Sequence, residues 1–191
     1  MSKKRVGLAM TGSYCTYERA LDAFSRLAAD YDLVPIMSDT ASQTDSRFGS
    51  AESFKKRLEA LTGRPVIDTV TGAEPIGPQG LLDLLLIAPC TGNTLAKLAL
   101  GITDSAVLMA AKSHLRNGRP VLIAVSSNDG LSGSAQNIGA LLNRRNIYFV
   151  PFYQDDPQRK PHSLAARYDR LGEAAEAALE GRQLQPILAA D

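Results

Sequence analysis

Leu84-Leu85-Leu86-Ile87-Ala88, then Pro89-Cys90-Thr91-Gly92-Asn93-Thr94, then Leu95-Ala96-Lys97-Leu98-Ala99-Leu100, is the stretch that decides the fold. The first five residues are apolar without alternation, the pattern of a strand buried on both faces. A short loop of hydroxyl, amide and glycine residues leads straight into a helical pattern over Thr94–Leu100. The same strand, polar loop and helix recur upstream. Val6–Met10 ends at Thr11-Gly12, and Tyr17–Asp30 follows with Ala20, Leu21, Phe24, Leu27 and Ala28 at spacings of three and four. They recur downstream in Val121–Val125, Ser126–Gly130 and a helix over Ala135–Arg145. Leu33–Met37 and Ile147–Val150 read as further strands, and Val66–Val70 as a short one. Ala51–Leu61, Ser105–Asn117 and Leu164–Leu179 read as helices, with Gly101 splitting Thr94–Leu100 from Ser105–Asn117. Thr40–Gly49 and Gly72–Gly80 read as loops, Pro151–Pro161 as a charged, proline-rich excursion, and Gln183–Asp191 as a tail. Buried strands joined by helices imply right-handed crossovers. The expectation is one α/β domain over residues 1–191, a doubly wound, Rossmann-like parallel sheet.

Composition narrows the function. The 191 residues carry a formal net charge of +1, 45% hydrophobic and 21% charged residues. That balance gives no electrostatic footprint for nucleic acid or an anionic membrane surface. The apolar stretch around Leu81–Pro89 is interrupted by Asp83 and is too short to span a bilayer. The opening MSKKRVGLAMTGSY holds too short an apolar run for an export signal. Cys15 and Cys90 are the two cysteines, with no C-x-x-C pair and no Cys/His cluster. A reduced, cytoplasmic protein without a bound metal is expected.

In such a sheet, ligands bind beyond the carboxyl ends of the strands. The loops there read Thr11-Gly12-Ser13-Tyr14-Cys15-Thr16, Ser38-Asp39-Thr40, Pro89-Cys90-Thr91-Gly92-Asn93-Thr94 and Ser126-Ser127-Asn128-Asp129-Gly130. Free N–H groups at helix starts, with Gly, Ser and Thr around them, suit an anion such as a phosphate. Any one of these loops alone is an ordinary helix cap. Several along one edge point to a ligand. The dinucleotide fingerprint G-x-G-x-x-G is missing, so Asp39 is a weak match to a ribose-binding acid, and no P-loop is present. A mononucleotide fits best.

Ile87-Ala88-Pro89-Cys90-Thr91-Gly92-Asn93-Thr94-Leu95-Ala96-Lys97, followed by Gly101-Ile102-Thr103-Asp104, resembles the A-P-x-T-x-N-T-x-A-K…G-x-x-D signature of the flavin-dependent cysteine-decarboxylase superfamily. That group includes phosphopantothenoylcysteine and lantibiotic-peptide decarboxylases and flavin prenyltransferases. The resemblance implies bound flavin mononucleotide (FMN) and homo-oligomers built as trimers or multiples of trimers, with flavin at a contact between protomers. It implies flavin contacts at Gly12, Ser13, Ser38, Thr40, Thr91, Asn93 and Thr94. Tyr14, Pro89, Ser126 and Asn128 complete the set of candidates on the same rim.

Over the whole chain, the Thr11–Glu18 opening, Arg47-Phe48-Gly49, Ala73–Pro78, Thr103-Asp104-Ser105 with Val107–Lys112, Asn146–Pro151, Gln154-Asp155-Asp156-Pro157 and Leu184-Gln185-Pro186 resemble the B-subunit family of dipicolinate synthases. The resemblance implies a sporulation enzyme. It implies a partner, the A subunit, and oxidation of a dihydrodipicolinate-type intermediate to pyridine-2,6-dicarboxylate. The departures from the decarboxylases fit that reading. Their histidine after the second strand is missing from Ser38–Phe48, and only Asn128 survives from their Pro-x-Met-Asn motif. His114 and His162 read as a helix-face residue and a cap at the start of the last helix.

A ring that becomes aromatic by losing two hydrogens needs a hydride acceptor and a positioned substrate more than a strong acid–base pair. A dicarboxylate substrate needs cations or clustered donors. Arg47, in the loop at the ligand edge, is the candidate carboxylate partner or else a solvated arginine. Lys112, Arg116, Arg144 and Arg145 read as solvated helix faces. Tyr14 is a candidate for flavin stacking or proton supply, or plain packing. Cys15 and Cys90, near helix starts, are candidate reactive thiols or small buried residues. Two alternatives stay open: a decarboxylase or prenyltransferase on the same fold, and a non-catalytic FMN-binding scaffold for the A subunit.

Overall fold

A computed structural model describes residues 3–189. The tail beyond Ala189, expected as part of 183–191, lies outside the described residues. Along the chain run β1 (Arg5–Met10), α1 (Tyr17–Leu27), β2 (Asp32–Met37), α2 (Asp39–Gln43), α3 (Ala51–Thr62) and α4 (Val70–Ala73). Then come β3 (Leu84–Cys90), α5 (Gly92–Leu100), α6 (Ala106–Arg116), β4 (Val121–Ser127) and α7 (Ala135–Leu142). The chain closes with β5 (Ile147–Phe149), β6 (Phe152–Tyr153), β7 (Leu164–Ala166) and α8 (Leu171–Leu179).

The strands form one seven-stranded sheet in the order β2-β1-β3-β4-β7-β6, with β5 also paired to β4. β1 is parallel to β2 and β3, and β4 is parallel to β3 and β5. The chain leaves β1 for β2 on one side and returns to β3 on the other. The gap between the carboxyl ends of β1 and β3 is therefore the topological switch point.

Alternate residues of each strand feed opposite faces. Leu84, Leu86 and Ala88 pack with Tyr17, Phe24, Phe54 and Leu171 from α1, α3 and α8. Leu85 and Ile87 pack with Leu95, Leu98, Val107, Leu108 and Leu141 from α5, α6 and α7. Both faces of β3 are fully buried, as its unbroken apolar sequence requires. Pro35 sits in β2, at the sheet's edge, where its missing N–H costs no ladder bond within the sheet.

Several expectations need correction. The sheet is mixed: β6 and β7 form an antiparallel hairpin, and β7 pairs Leu164 and Ala165 with Ser127 and Ser126. Leu164–Ala166 is thus strand, not the first turn of the last helix, because pairing to β4 outweighs the helix preference of its alanines. Val66–Val70 is not a strand. Ile67 alone bridges to Ile36, donating to Pro35 O and accepting from Met37 N. The ladder cannot run further back because Pro35 has no N–H to give. Within Thr40–Gly49, α2 is helical through Gln43, capped by Ser38 Oγ accepting from Ala41 N. Five residues are too few to show a period in sequence. Finally, α7 stops at Leu142 rather than Arg145. Arg144 is exposed, as expected, but lies beyond that helix, and its guanidinium donates to Leu98 O and Ala99 O, closing the end of α5.

Candidate functional site

The switch point opens into a cavity of about 320 Å3. Gly12 enters it from the end of β1, Ser38 and Thr40 from the end of β2, and Thr91, Asn93 and Thr94 from the end of β3. Lys97, Asp104 and Ser105 close the far side. The helix starts explain why these residues face inward. Thr91 caps α5, its Oγ1 accepting from Thr94 N at 3.3 Å and lying 3.1 Å from Thr94 Oγ1. Ser105 caps α6, accepting from Leu108 N at 3.4 Å. The first N–H groups of each helix have no partner within it and carry the positive end of its dipole. Two helix starts and the Lys97 ammonium therefore line one space. Lys97 is held at 2.6 Å by Asp104, and Asp39 is the other acid in the lining.

Thr11 fastens this rim. It is buried, donates Oγ1 to Pro89 O at 2.7 Å and accepts from Thr91 N at 3.1 Å. The carboxyl ends of β1 and β3 are thereby joined directly beneath the cavity. Tyr14 fastens the other side: its hydroxyl donates to Thr40 O at 2.9 Å. Gly12 lies between, where a Cβ would come within 3.1 Å of Thr40 Cγ2. The lack of a side chain there lets the first and second loops close on each other. Gly92 is tighter still. A Cβ would meet Ser134 Oγ at 2.5 Å and Asp129 Oδ1 and Ser127 Oγ at 2.9 Å. Hydrogen bonds from Ser127 and Ser134 hold the Asp129 carboxyl below the usual range, so it stays ionised beside the start of α5.

A second cavity of about 230 Å3 lies across the first loop, where β1, β4 and the hairpin meet. Ser13, Cys15 and Thr16 line it from the first loop, Ser126, Ser127 and Asn128 from β4 and its end, and Asp155 through Tyr168 from the hairpin region. Ser126 Oγ lies 2.7 Å from Ser13 Oγ and 2.8 Å from Thr16 Oγ1, tying β4 to the first loop.

The residues expected to hold a cofactor thus divide. Gly12, Ser38, Thr40, Thr91, Asn93 and Thr94 share the first cavity. Ser13, Ser126 and Asn128 line the second. Tyr14 braces the first loop, its ring tilted against Tyr17 with centroids 5.3 Å apart, while Pro89 serves through its carbonyl to Thr11. Arg47 reaches neither lining; it is exposed, with its guanidinium 4.9 Å over the Phe48 ring. Cys15 is exposed at the second cavity, whereas Cys90 is buried and its thiol is pushed well up by desolvation, which leaves it without reactive thiolate.

His114 lies on the buried face of α6, and burial, then the nearby Arg119 charge, lowers its pKa to about 4. His162 lies before β7 and caps no helix. Neither histidine lines either cavity. Sequence reasoning named Thr11 and Thr16 only as members of the first loop, and missed Ser105, Arg19, Lys160 and Tyr168. Ser105 was legible as a cap before an apolar helix; the others come together only through the hairpin and the strand ends. Among the described residues no cluster of His, Cys, Asp or Glu is arranged to hold a metal. No helix among them is long and apolar enough to cross a membrane.

A family model described as Flavoprotein matches residues 1–164. The dipicolinate synthase B subunit of Bacillus subtilis (strain 168) is 45% identical over 186 residues, spanning 97% of this chain and 93% of that protein. The crystal structure of the dipicolinate synthase B subunit from Bacillus halodurans C matches with a TM-score of 0.90 at 44% identity, over 98% of this chain and 97% of that one. An FMN-dependent cysteine decarboxylase matches with a TM-score of 0.66 at 18% identity, over 93% of this chain and 97% of that one, a likeness of fold alone.

Proposed function

The chain belongs to the flavoprotein family, and from that premise we propose that it is the flavin-binding B subunit of a dipicolinate synthase. In this reading it binds FMN and works with an A subunit in the cytoplasm of sporulating cells. It oxidises a dihydrodipicolinate-type ring to pyridine-2,6-dicarboxylate. The observation that carries the reading is the convergence of Gly12, Ser38, Thr91 and the starts of α5 and α6 on one cavity at the switch point. That donor set fits a phosphate monoester. Unpaired N–H groups and hydroxyls supply its hydrogen bonds, Lys97 supplies charge, and Gly12 supplies room.

When bound, flavin supplies a two-electron acceptor for a hydride. The ring gives up that hydride and one proton and becomes aromatic, so the atoms and electrons balance. The chain's own tasks are narrower. Thr11 and Tyr14 hold the loops that grip the cofactor. Ser13, Thr16 and Ser126 form a polar wall beside it. With no histidine in either lining, the site supports oxidation of an activated ring better than a histidine-dependent decarboxylation. In this reading the chain forms a homo-oligomer of trimers, as the resemblance of its sequence signature implies.

The test is direct. Purified protein is loaded with FMN, made free of air, and mixed with the dihydro intermediate with and without the A subunit. Loss of the oxidised-flavin absorbance together with formation of pyridine-2,6-dicarboxylate is expected. Bound flavin that stays oxidised while product forms would overturn the reading, and so would a protein that takes up no flavin.

A further inference from the structure

The second cavity carries charge that the phosphate site does not use. Arg19, on the exposed side of α1, lines it and makes no ion pair among the described residues. Lys160 lines it from the turn between β6 and β7, with Nζ 3.3 Å from Asp155 Oδ2. Asp155 is itself occupied, since Ser163 Oγ donates to its other oxygen at 2.5 Å. An ammonium has three N–H donors, so this one contact leaves Lys160 free to meet another anion. Ser126, Ser127 and Asn128 add hydroxyl and amide groups on the β4 side.

Tyr168 is the telling residue. It lines the same cavity, is only 7% exposed, and its buried hydroxyl has no hydrogen-bond partner. Buried polar groups are almost always satisfied, and leaving one unpaired is costly. A hydroxyl kept in that state beside an unpaired arginine calls for an acceptor that the protein itself does not provide. Desolvation pushes the Tyr168 pKa far up, against the opposing pull of the nearby Arg19 charge, so the group stays a neutral donor.

We infer that the second cavity is the substrate pocket, taking a compact ring dicarboxylate whose carboxylates meet Arg19 and Lys160 and accept from Tyr168. The inference rests on the reading of the chain as part of a dipicolinate synthase. It assigns the carboxylate partners to α1 and the hairpin instead of the loop that carries Arg47. The two cavities meet at adjacent residues, Gly12 in one lining and Ser13 in the other. A cofactor held by its phosphate in the first and a ring held by its acids in the second would therefore approach across the first loop. Arginine suits the task because its fork meets a carboxylate through two parallel hydrogen bonds.

Calorimetric titration with pyridine-2,6-dicarboxylate, with and without FMN, tests this. Wild-type protein should bind it in a saturable way and bind pyridine-2-carboxylate about tenfold more weakly. Arg19→Ala and Lys160→Ala should each weaken binding about tenfold, the cost of one charged hydrogen-bonded contact. Tyr168→Phe should weaken it severalfold while leaving the thermal midpoint of the free protein unchanged or higher, which a merely structural tyrosine would not do. FMN uptake, followed by absorbance, should be unaltered in all three variants. No dicarboxylate binding by the wild type, or equal binding by all variants, would overturn the inference. Loss of FMN uptake by the wild type would instead defeat the functional reading, and the dicarboxylate titration without FMN would still decide the pocket.

Discussion

At the scale of single residues, Thr11 shows how little is needed to join two loops. One hydroxyl meets both Pro89 O and Thr91 N. Thr11→Val keeps the shape and deletes both bonds, leaving the buried Pro89 carbonyl and the half-buried Thr91 amide unpaired. A loss of about 1–3 kcal/mol in chemical denaturation is expected, along with weaker FMN binding. Gly92→Ala places a methyl group against Ser134, Asp129 and Ser127. The start of α5 must then move, so FMN affinity should fall more than stability does, in parallel absorbance and melting measurements. His114 adds a pH dependence. Its ordinary pKa of 6.5 falls to about 4 in the fold. The unfolded chain therefore takes up the proton first, and the stabilising contribution is whole above 6.5 and lost as pH drops towards 4. Denaturation midpoints should show about 2 kcal/mol lost between about pH 7 and about pH 5, and His114→Leu should remove most of that slope. Of these residues, Gly92 and the Thr91 cap were legible in sequence, because loop glycines and hydroxyls before helices carry their own signal. Thr11 and His114 were not, since their roles depend on what β3 and Arg119 bring to them.

At the scale of elements, β3, α5 and α6 follow closely from their residues. An unbroken apolar run, a hydroxyl cap and a left-handed glycine at Gly101 mark their limits. The hairpin does not. β6 has two residues, and Leu-Ala-Ala in β7 favours a helix until Ser126 and Ser127 offer a ladder. That hidden element builds the second cavity, which is why Arg19, Lys160 and Tyr168, the carboxylate partners proposed above, escaped notice. Gly130 shows how closely the hairpin sits: a Cβ there would be 2.7 Å from Leu164 Cβ. Gly130→Ala should push β7 outward. The expected outcome is weakened dicarboxylate binding with FMN affinity retained, read by the two titrations on the same sample. Equal loss of both ligands would mean that the hairpin supports the entire site.

At the scale of the whole molecule, a sheet with two packed faces places the polar carboxyl ends of β1, β2, β3 and β4 on one rim. The binary pattern of apolar runs and helical periods announced that architecture, and the small polar residues after β1, β2 and β3 announced the lining of the first cavity. The sequence could not show that the rim holds two cavities, because their division follows from the return of the chain through β7 beside β4. The central claim is that the cavity at the β1/β3 switch point grips FMN by its phosphate. The measurement that tests it most directly is an FMN titration of wild type, Thr91→Ala and Gly12→Val, followed by flavin fluorescence. Saturable uptake by the wild type, competed by inorganic phosphate, is expected, with affinity about tenfold lower for Thr91→Ala and abolished for Gly12→Val. Uptake of the same affinity in all three proteins, or none in the wild type, would contradict it.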